Sequence, residues 1–374
     1  MISRSELNVV HLTSVHRRRD IRIFLKECRS LANAGYQVTL VVADGAGDET
    51  IDGVRVLDTG KPQGKFDRML KASRRVYKAG LLLDADIYHL HDPELLPYAA
   101  KLKRRGKRVI FDAHEDLPKQ IHGKAYLNAA SKWFLYRFLS WYEMSVCRKL
   151  DHIVTATSAI QSKFESNGVS ATTVNNYPLI GELNEPIAWD RKQDVVCYVG
   201  GITRVRGLKE LVRALVQAQT PVRLQLAGQV SDPGLEDELK SEPGWKRVDD
   251  VGFVDRKGVA AILSKSIAGV VTFLPSPNHI EAQPNKMFEY MSAGIPVIAS
   301  HFPLWREIIE GNDCGICVDP ENPQAIAEAI DYLSTNKEEA RRLGENGLAA
   351  VTTRYNWAAE EQILLNIYDD IFKE

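Results

Sequence analysis

A chain of 374 residues, 44% hydrophobic and 26% charged, is too long for one ordinary domain and suits two with real cores. With no run of about 18 apolar residues, no apolar signal segment after Met1 and five scattered cysteines, it is expected to be a cytosolic protein with reduced thiols, and Cys314-x2-Cys317 has no second pair nearby to complete a zinc site. Net charge is −1, yet residues 1–180 hold 28 Lys and Arg against 19 acids and residues 181–374 hold 20 against 30, so the first half should meet an anionic partner. Nucleic acid is not expected: the basic runs lack interleaved aromatics, and no finger or helix-turn-helix pattern appears.

The first half alternates strand and helix signals. Residues 8–12, 38–42, 87–90, 109–111 and 153–155 are short apolar runs with β-branched content. The first crossover carries an apolar stripe, Ile21, Phe24, Leu25, Cys28 and Leu31, closed by Gly35. This predicts a doubly wound parallel α/β sheet, whose ligands bind beyond the carboxyl ends of the strands. Three loops at such ends are dense in His, Arg and Asp: His16-Arg17-Arg18-Arg19-Asp20, His91-Asp92-Pro93-Glu94 and Asp112-Ala113-His114-Glu115-Asp116. Each alone has the composition of a solvated loop, but together, at successive strand ends, they mark a candidate site. Asp84-Ala85-Asp86 precedes a strand and reads as a turn, not a metal site. Residues 125–150 form an aromatic helical stretch with Trp133, Phe134, Tyr136, Phe138, Trp141 and Tyr142, read first as core packing. Beside the basic run 101–108, it also suits a peripheral contact with an anionic membrane leaflet.

Residues 176–194, with Pro178, Gly181 and Pro186, read as a connection between domains. A second alternation follows, with strands at 195–199, 224–226, 248–253 and 269–273 and a helix stripe of Leu208, Leu211, Val212 and Leu215. The turn Gly200-Gly201-Ile202-Thr203-Arg204-Val205-Arg206-Gly207 leads into that helix; open amides and two guanidinium groups there suit a diphosphate. A second such junction reads Glu281-Ala282-Gln283-Pro284-Asn285-Lys286-Met287-Phe288-Glu289. It follows a strand end at Pro275-Ser276 and opens a helix closed by Gly294. The positive helix end at Asn285 and Lys286 favours an anion, with Glu281 and Glu289 on either side.

The two glutamates eight residues apart, with Gly294-Ile295-Pro296-Val297-Ile298-Ala299-Ser300, Arg306-Glu307-Ile308-Ile309 and Gly315-Ile316-Cys317-Val318-Asp319-Pro320 after them, resemble the retaining family 4 glycosyltransferases of GT-B fold. The resemblance covers most of the second half. It implies two Rossmann-like domains facing a central cleft: an acceptor domain at 1–180, a donor domain at 181–355 and a helix at 356–374 returning to the first domain. It also implies metal-independent hexosyl transfer with retention, without a cofactor, from a nucleotide diphosphate sugar, with a UDP-sugar expected. The acceptor would be a glycan or lipid-linked molecule of surface polysaccharide (O-antigen or capsule) or glycolipid synthesis. In those terms Glu281 holds sugar hydroxyls near the anomeric centre and His114 lies against the donor sugar, the two catalytic candidates. Gly201, Arg204, Arg206, Asn285 and Lys286 fall on the donor diphosphate, and Glu289 on the ribose; His16, Arg19, His91 and Asp92 fall on the acceptor side. The chain departs from the pattern where Gly201 replaces an arginine, Arg206 a lysine and Pro284 a glycine, and where arginines replace the glycines of the first loop. A catalytically silent GT-B scaffold of a polysaccharide assembly complex is the alternative; the presence of both glutamates and two arginines argues against it. A dinucleotide oxidoreductase would need a Gly-x-Gly-x-x-Gly after the first strand, which is missing.

Overall fold

The computed structural model describes residues 3–64, 66–119, 121, 128–183 and 187–373. Ala125 of the expected aromatic helix and Pro186 of the expected connection lie outside them. The chain forms two units, Met1–Asn176 with Ala358–Glu374, and Tyr177–Trp357. The division falls after Asn176, not at 180, for a local reason. Lys26 holds Asn176 and the Glu360 carboxylate holds Asn175 in the first unit, whereas the Tyr177 ring packs on Phe288 and Tyr355 in the second.

The first unit is built on an eight-stranded sheet: β1 (Asn8–Leu12), β2 (Gln37–Val42), β3 (Glu49–Ile51), β4 (Val54–Asp58), β5 (Ile87–Leu90), β6 (Arg108–Ala113), β7 (His152–Thr155) and β8 (Ala171–Thr173). Their order is β3-β4-β2-β1-β5-β6-β7-β8, parallel except for β3, which runs antiparallel to β4. Its helices include α1 (Arg29–Asn33), α2 (Ser73–Leu82), α3 (Leu96–Lys103), α4 (Ala129–Cys147) and α5 (Ser158–Glu165). The unexpected β3–β4 hairpin turns through Asp52 (φ 50°) and Gly53 (φ 78°), the Asp-Gly pair favoured where both central residues need positive φ.

Two expectations need correction. The first crossover is not a simple apolar stripe: Ile21–Cys28 is a π-helix that runs into α1, and Arg22, Lys26 and Glu27 are buried while Leu25 is only half-buried. Its wider turn brings positions five apart onto one side, so Arg22 meets Glu27. The aromatic helix is not core either. Trp133, Phe134, Phe138 and Trp141 of α4 are exposed, and its buried residues are Glu143, Met144, Val146 and Cys147 in the last turns.

The second unit has a fully parallel sheet in the order β11-β10-β9-β12-β13-β14. The strands are β9 (Val195–Val199), β10 (Arg223–Ala227), β11 (Val248–Gly252), β12 (Ala268–Val271), β13 (Val297–Ser300) and β14 (Gly315–Val318). They alternate with α6 (Leu208–Gln217), α7 (Leu235–Ser241), α8 (Arg256–Lys265), α9 (Pro277–Ile280), α10 (Asn285–Ser292), α11 (Pro303–Ile309), α12 (Pro323–Thr335) and α13 (Lys337–Thr353). Side chains along β9 alternate between two cores: Val196 and Tyr198 pack with α6 and α12, Cys197 and Val199 with α8, α10 and α11. The last helix, α14 (Trp357–Ile371), lies from Ala358 onward in the first unit, where Tyr368 is buried and Asp369 binds Arg4 and Tyr36. All five cysteines are free thiols, and no helix among the described residues is long and apolar enough to cross a membrane.

Gly269 in β12 lets the buried Tyr290 ring of α10 lie flat against the sheet: a Cβ there would stand 2.2 Å from the ring. The Tyr290 hydroxyl accepts the Val199 amide at 3.1 Å, tying α10 to β9. Gly269→Ala is therefore expected to destabilise by about 1–3 kcal/mol through overpacking, measured by denaturant unfolding, whereas Ala substitution at the open Gly201 should leave stability within about 0.5 kcal/mol.

Candidate functional site

Each sheet reverses its strand order once, between β1 and β5 and between β9 and β12. The polar groups singled out by sequence gather at the carboxyl ends of these four strands and of β6, where doubly wound sheets bind ligands.

In the second unit the loop after Val199 runs through Gly200 to Gly207 into α6, and the loop after Val271 runs through the single turn of α9 into α10. Gly207 (φ 69°) cannot be replaced without collision, because a Cβ would meet the Thr272 carbonyl oxygen at 1.9 Å. Lys286, the second residue of α10, is buried; its ammonium stands 3.6 Å from the centre of the Tyr198 ring and 5.4 Å from that of Phe273. It has no hydrogen-bond partner among the described residues. Gly200 lines it so closely that a Cβ would lie 3.2 Å from Nζ. Burial, and then the nearby positive charge of Arg206, hold the Lys286 pKa well below the ordinary lysine value. The Arg206 guanidinium itself lies 5.1 Å from the Phe273 ring centre. On the same two loops Thr203 Oγ1, Asn278 Oδ1 and Gln283 Oε1 are buried with no hydrogen-bond partner among the described residues. Asn285 is exposed at the start of α10, whose first amides precede any helical acceptor. Glu281 is exposed in the turn after α9.

Two donor-side expectations are altered by ion pairs. Arg204 is exposed and bidentate to Glu238 on α7, so its charge is already matched and does not add to that of Arg206. Glu289, one turn beyond Lys286, accepts at Oε1 from Arg256 Nη1 (2.7 Å), while Arg256 also clasps Glu182 (2.8 and 2.9 Å). Gly201 takes part through its carbonyl, which accepts from the Tyr198 hydroxyl at 2.8 Å.

In the first unit the centre is Asp112 at the end of β6. Arg22 donates to both its oxygens at 2.8 Å, and Oδ2 is also within 3.2 Å of His91 Nδ1 and 2.7 Å of His114 Nε2. Burial opposes the Asp112 charge, but Arg22 and the histidines outweigh it and hold its pKa well below the usual carboxylate range. His11, His89 and His91 stack with ring centres 4.7–5.1 Å apart, and burial depresses the pKa of all three, so they are neutral. Bond distances then assign the protons: His91 Nδ1–H donates to Asp112, His11 Nδ1–H to His91 Nε2 (2.8 Å), and the Tyr368 hydroxyl to His11 Nε2 (3.3 Å) while accepting from His89 Nδ1–H (2.8 Å). Glu27 Oε1 stands 3.1 Å from Arg22 Nε, yet neither Glu27 oxygen accepts a hydrogen bond. Burial and then the Asp112 charge push the Glu27 pKa well above its ordinary value. The groupings His11–Glu27–His89–His91 and His91–Asp112–His114 have metal-ligand atom types within 4.8 Å of one another, but Arg22 already serves as the cation of this cluster.

Family models match both units: a Glycosyl transferase 4-like domain over residues 22–177 and Glycosyl transferases group 1 over residues 180–349. An uncharacterized glycosyltransferase of Methanocaldococcus jannaschii is 23% identical over 91% of this chain and 92% of its own. An MMP alpha-(1->4)-mannosyltransferase of Mycolicibacterium hassiacum is 22% identical over 80% and 74%. Among solved structures, a sucrose-phosphate synthase from Thermosynechococcus elongatus superposes with TM-score 0.80 at 18% identity, over 98% of this chain and 99% of that one. Anabaena HepE, in complex with UDP and glucose, gives 0.75 at 15% identity, over 97% and 100%. The chain belongs to the family 4 glycosyltransferases of GT-B fold.

In this glycosyltransferase the acceptor-side residues divide. His91 and Asp92 are buried, not presented to a ligand: His91 belongs to the histidine stack, and Asp92 ties down the loop after β1 by accepting from the Ser14 and Val15 amides and the Thr13 hydroxyl. Arg19 is exposed. His16 is half-buried, bonded to Asp20 at 3.2 Å, with its ring centre 5.2 Å from that of His114. Burial opposes charge on His16, but the Asp20 bond and the Asp92 charge outweigh it and raise its pKa; Asp20, also opposed by burial, is lowered to about 2. Sequence reasoning missed Arg22, Glu27, His11, His89 and Tyr368. The available signal was period two: His89 in β5 and His91 just beyond its end are two apart and so share a face, and His11 pairs with His89 across the sheet.

Removing the charge of Asp112 would leave Arg22 buried with only Glu27 to answer its charge, so Asp112→Asn should cost about 1–3 kcal/mol in denaturant unfolding at neutral pH. Glu27→Gln, which keeps the side-chain shape and removes only a charge whose formation burial opposes, should cost less there, within about 1 kcal/mol. The pH trend is a second check. A raised carboxyl pKa contributes stability below the unfolded value of 4.5 that is lost as pH rises through the folded value, so the stability of Glu27→Gln relative to wild type should increase with pH above 4.5.

Proposed function

We propose that this glycosyltransferase moves a hexosyl group with retention, without a metal, from a UDP-sugar to a glycan or lipid-linked acceptor in surface polysaccharide or glycolipid synthesis in the cytosol. The observation that carries the donor side is Lys286: a buried amine with no hydrogen-bond partner among the described residues, facing Gly200, with Arg206 nearby and the α10 amides beginning at the same point. A diphosphate supplies the negative charge this arrangement lacks, and the same groups stabilise the charge that grows on the phosphate as the glycosidic bond breaks. Glu289 takes the ribose hydroxyls, its orientation held by Arg256, and Glu281 the sugar hydroxyls. HepE, similar in fold, has been solved with UDP and with UDP-glucose, which supports UDP as the nucleotide here. Following the family resemblance, the acceptor hydroxyl attacks from the face the leaving phosphate departs, and that phosphate takes its proton. His114, whose Nε2 is fixed by Asp112, offers Nδ1 to orient the donor sugar, and His16 and Arg19 serve the acceptor.

The reading is tested by calorimetry of UDP, GDP, ADP and NAD binding without added metal. UDP is expected to bind, and because the Lys286 pKa is depressed beforehand, binding should take up protons and weaken as pH rises. Lys286→Met should reduce affinity by roughly 10- to 100-fold, the worth of a charge-assisted hydrogen bond, and abolish the proton uptake. Preference for NAD, or UDP binding indifferent to Lys286, would sink the proposal. Glu281→Ala should bind UDP as wild type does while losing donor hydrolysis and transfer.

A further inference from the structure

Two apolar ends project from the carboxyl edge of the first unit's sheet. The helix that follows β4 begins with a π-helical stretch, Asp67–Ala72, continued by α2; here Phe66, Met69 and Leu70 are 84%, 49% and 67% exposed. The helix that follows β6 is α4, whose first buried residue is Glu143, leaving about 21 Å of helix with no buried side chain. Along that length Trp133, Phe134, Arg137, Phe138 and Trp141 recur at helical spacing on one exposed face. This inverts the usual order, since the apolar face is the one turned to solvent. The crossovers β4 to β5, β5 to β6 and β6 to β7 all advance the same way along the sheet, so right-handed connections place α2 and α4 on one face, each starting at the carboxyl edge. Their parent strands are four places apart, about 19 Å.

Cations accompany both ends. Lys71, Arg74 and Lys78 are exposed on the first helix, and a cleft of about 380 Å³ beside its apolar tip is lined by Lys61, Lys71 and Arg75 with Asp67. Arg137 stands among the aromatics of the second. We propose that this edge of the first unit docks on an anionic lipid bilayer, with Phe66, Met69, Leu70 and the α4 aromatics entering the interface and the lysines and arginines meeting lipid phosphates. Tryptophans on a protruding helix and interleaved basic residues are what an interfacial element requires. A second copy of the chain fits less well, because a twofold contact through either patch would bring its cations against their own duplicates. The inference is independent of the donor nucleotide.

The test is flotation of the purified full chain with phosphatidylcholine vesicles, with or without one-third phosphatidylglycerol, together with tryptophan emission and sedimentation velocity. Anionic vesicles should bind at least about tenfold more tightly, with blue-shifted emission and a loss of binding in high salt. Trp133→Ser/Trp141→Ser and Phe66→Ser/Leu70→Ser should each weaken binding by about tenfold or more with unchanged Tm, since these residues are exposed. Lys71→Glu/Arg74→Glu should remove the preference for anionic lipid. Equal or absent partitioning to the two vesicles, variants that bind like wild type, or a dimer dissolved by the tryptophan substitutions would each overturn the proposal.

Discussion

Charging a buried amine that has no hydrogen-bond partner is costly, by several kcal/mol even after relaxation, and the packing of α10 holds Lys286 in such a position. The helix cannot roll to expose it. Met287, Phe288, Tyr290 and Met291 are all buried in the second unit's core, and the Tyr290 ring is keyed into the space left by Gly269. What softens the cost is the face of Tyr198, 3.6 Å away, a cation–π contact worth up to about 2 kcal/mol when desolvated. Tyr198 is in turn fixed by its bond to the Gly201 carbonyl. The lysine, the ring and the glycine turn form one device, and each part needs the other two.

The first unit meets the same problem in the opposite way. Its buried charges answer one another: Arg22 neutralises Asp112, burial and the Asp112 charge push the Glu27 pKa up, and two neutral histidines, His11 and His91, relay hydrogen bonds from Tyr368 to Asp112. This network depends on the π-helix, because a regular helix would set Arg22 and Glu27 on different sides and leave one of them facing the wrong neighbours. Its product is orientation. Asp112 fixes the Nε2 edge of His114, so the polar interior defines how a half-exposed imidazole is presented.

The parallel sheets were legible because buried parallel strands are near-continuous apolar runs, as in Val195–Val199. Short polar strands carry no such mark, so β3 and β8 escaped, and so did the short strands β4, β13 and β14. The junctions at Gly200–Gly207 and Pro284–Lys286 were legible because a glycine turn or a proline before a helix has a fixed local meaning. Residue type could not reveal which charges are spent. Arg204 and Arg206 look equivalent in sequence, but only the first has a carboxylate of α7 within reach. Helical periodicity likewise cannot say which face turns inward: the α4 aromatics share one face, and the structure turns it to solvent. The charged interior around Arg22 was hidden for a sharper reason, since a π-helix breaks the 3.6-residue period on which the stripe was judged.

The two switch points therefore differ in kind. At β1 and β5 the buried polar groups are matched among themselves apart from the Glu27 oxygens and His89 Nε2, and the arrangement stores position rather than affinity. At β9 and β12 the mismatch is left standing: Lys286 Nζ, Thr203 Oγ1, Asn278 Oδ1 and Gln283 Oε1 all lack partners among the described residues. Buried polar atoms are nearly always satisfied in folded proteins, so four on two adjoining loops call for a ligand in a way that one would not. Because α10 is positioned by hydrophobic packing and not by the site's own hydrogen bonds, these groups need no reorganisation to meet an anion. Dipoles and charges fixed in advance of the reaction contribute most to stabilising charge that develops during it. The strain of an unmatched lysine is then a property of the free protein that binding relieves, and the stability of the second unit's core is what allows it to be maintained.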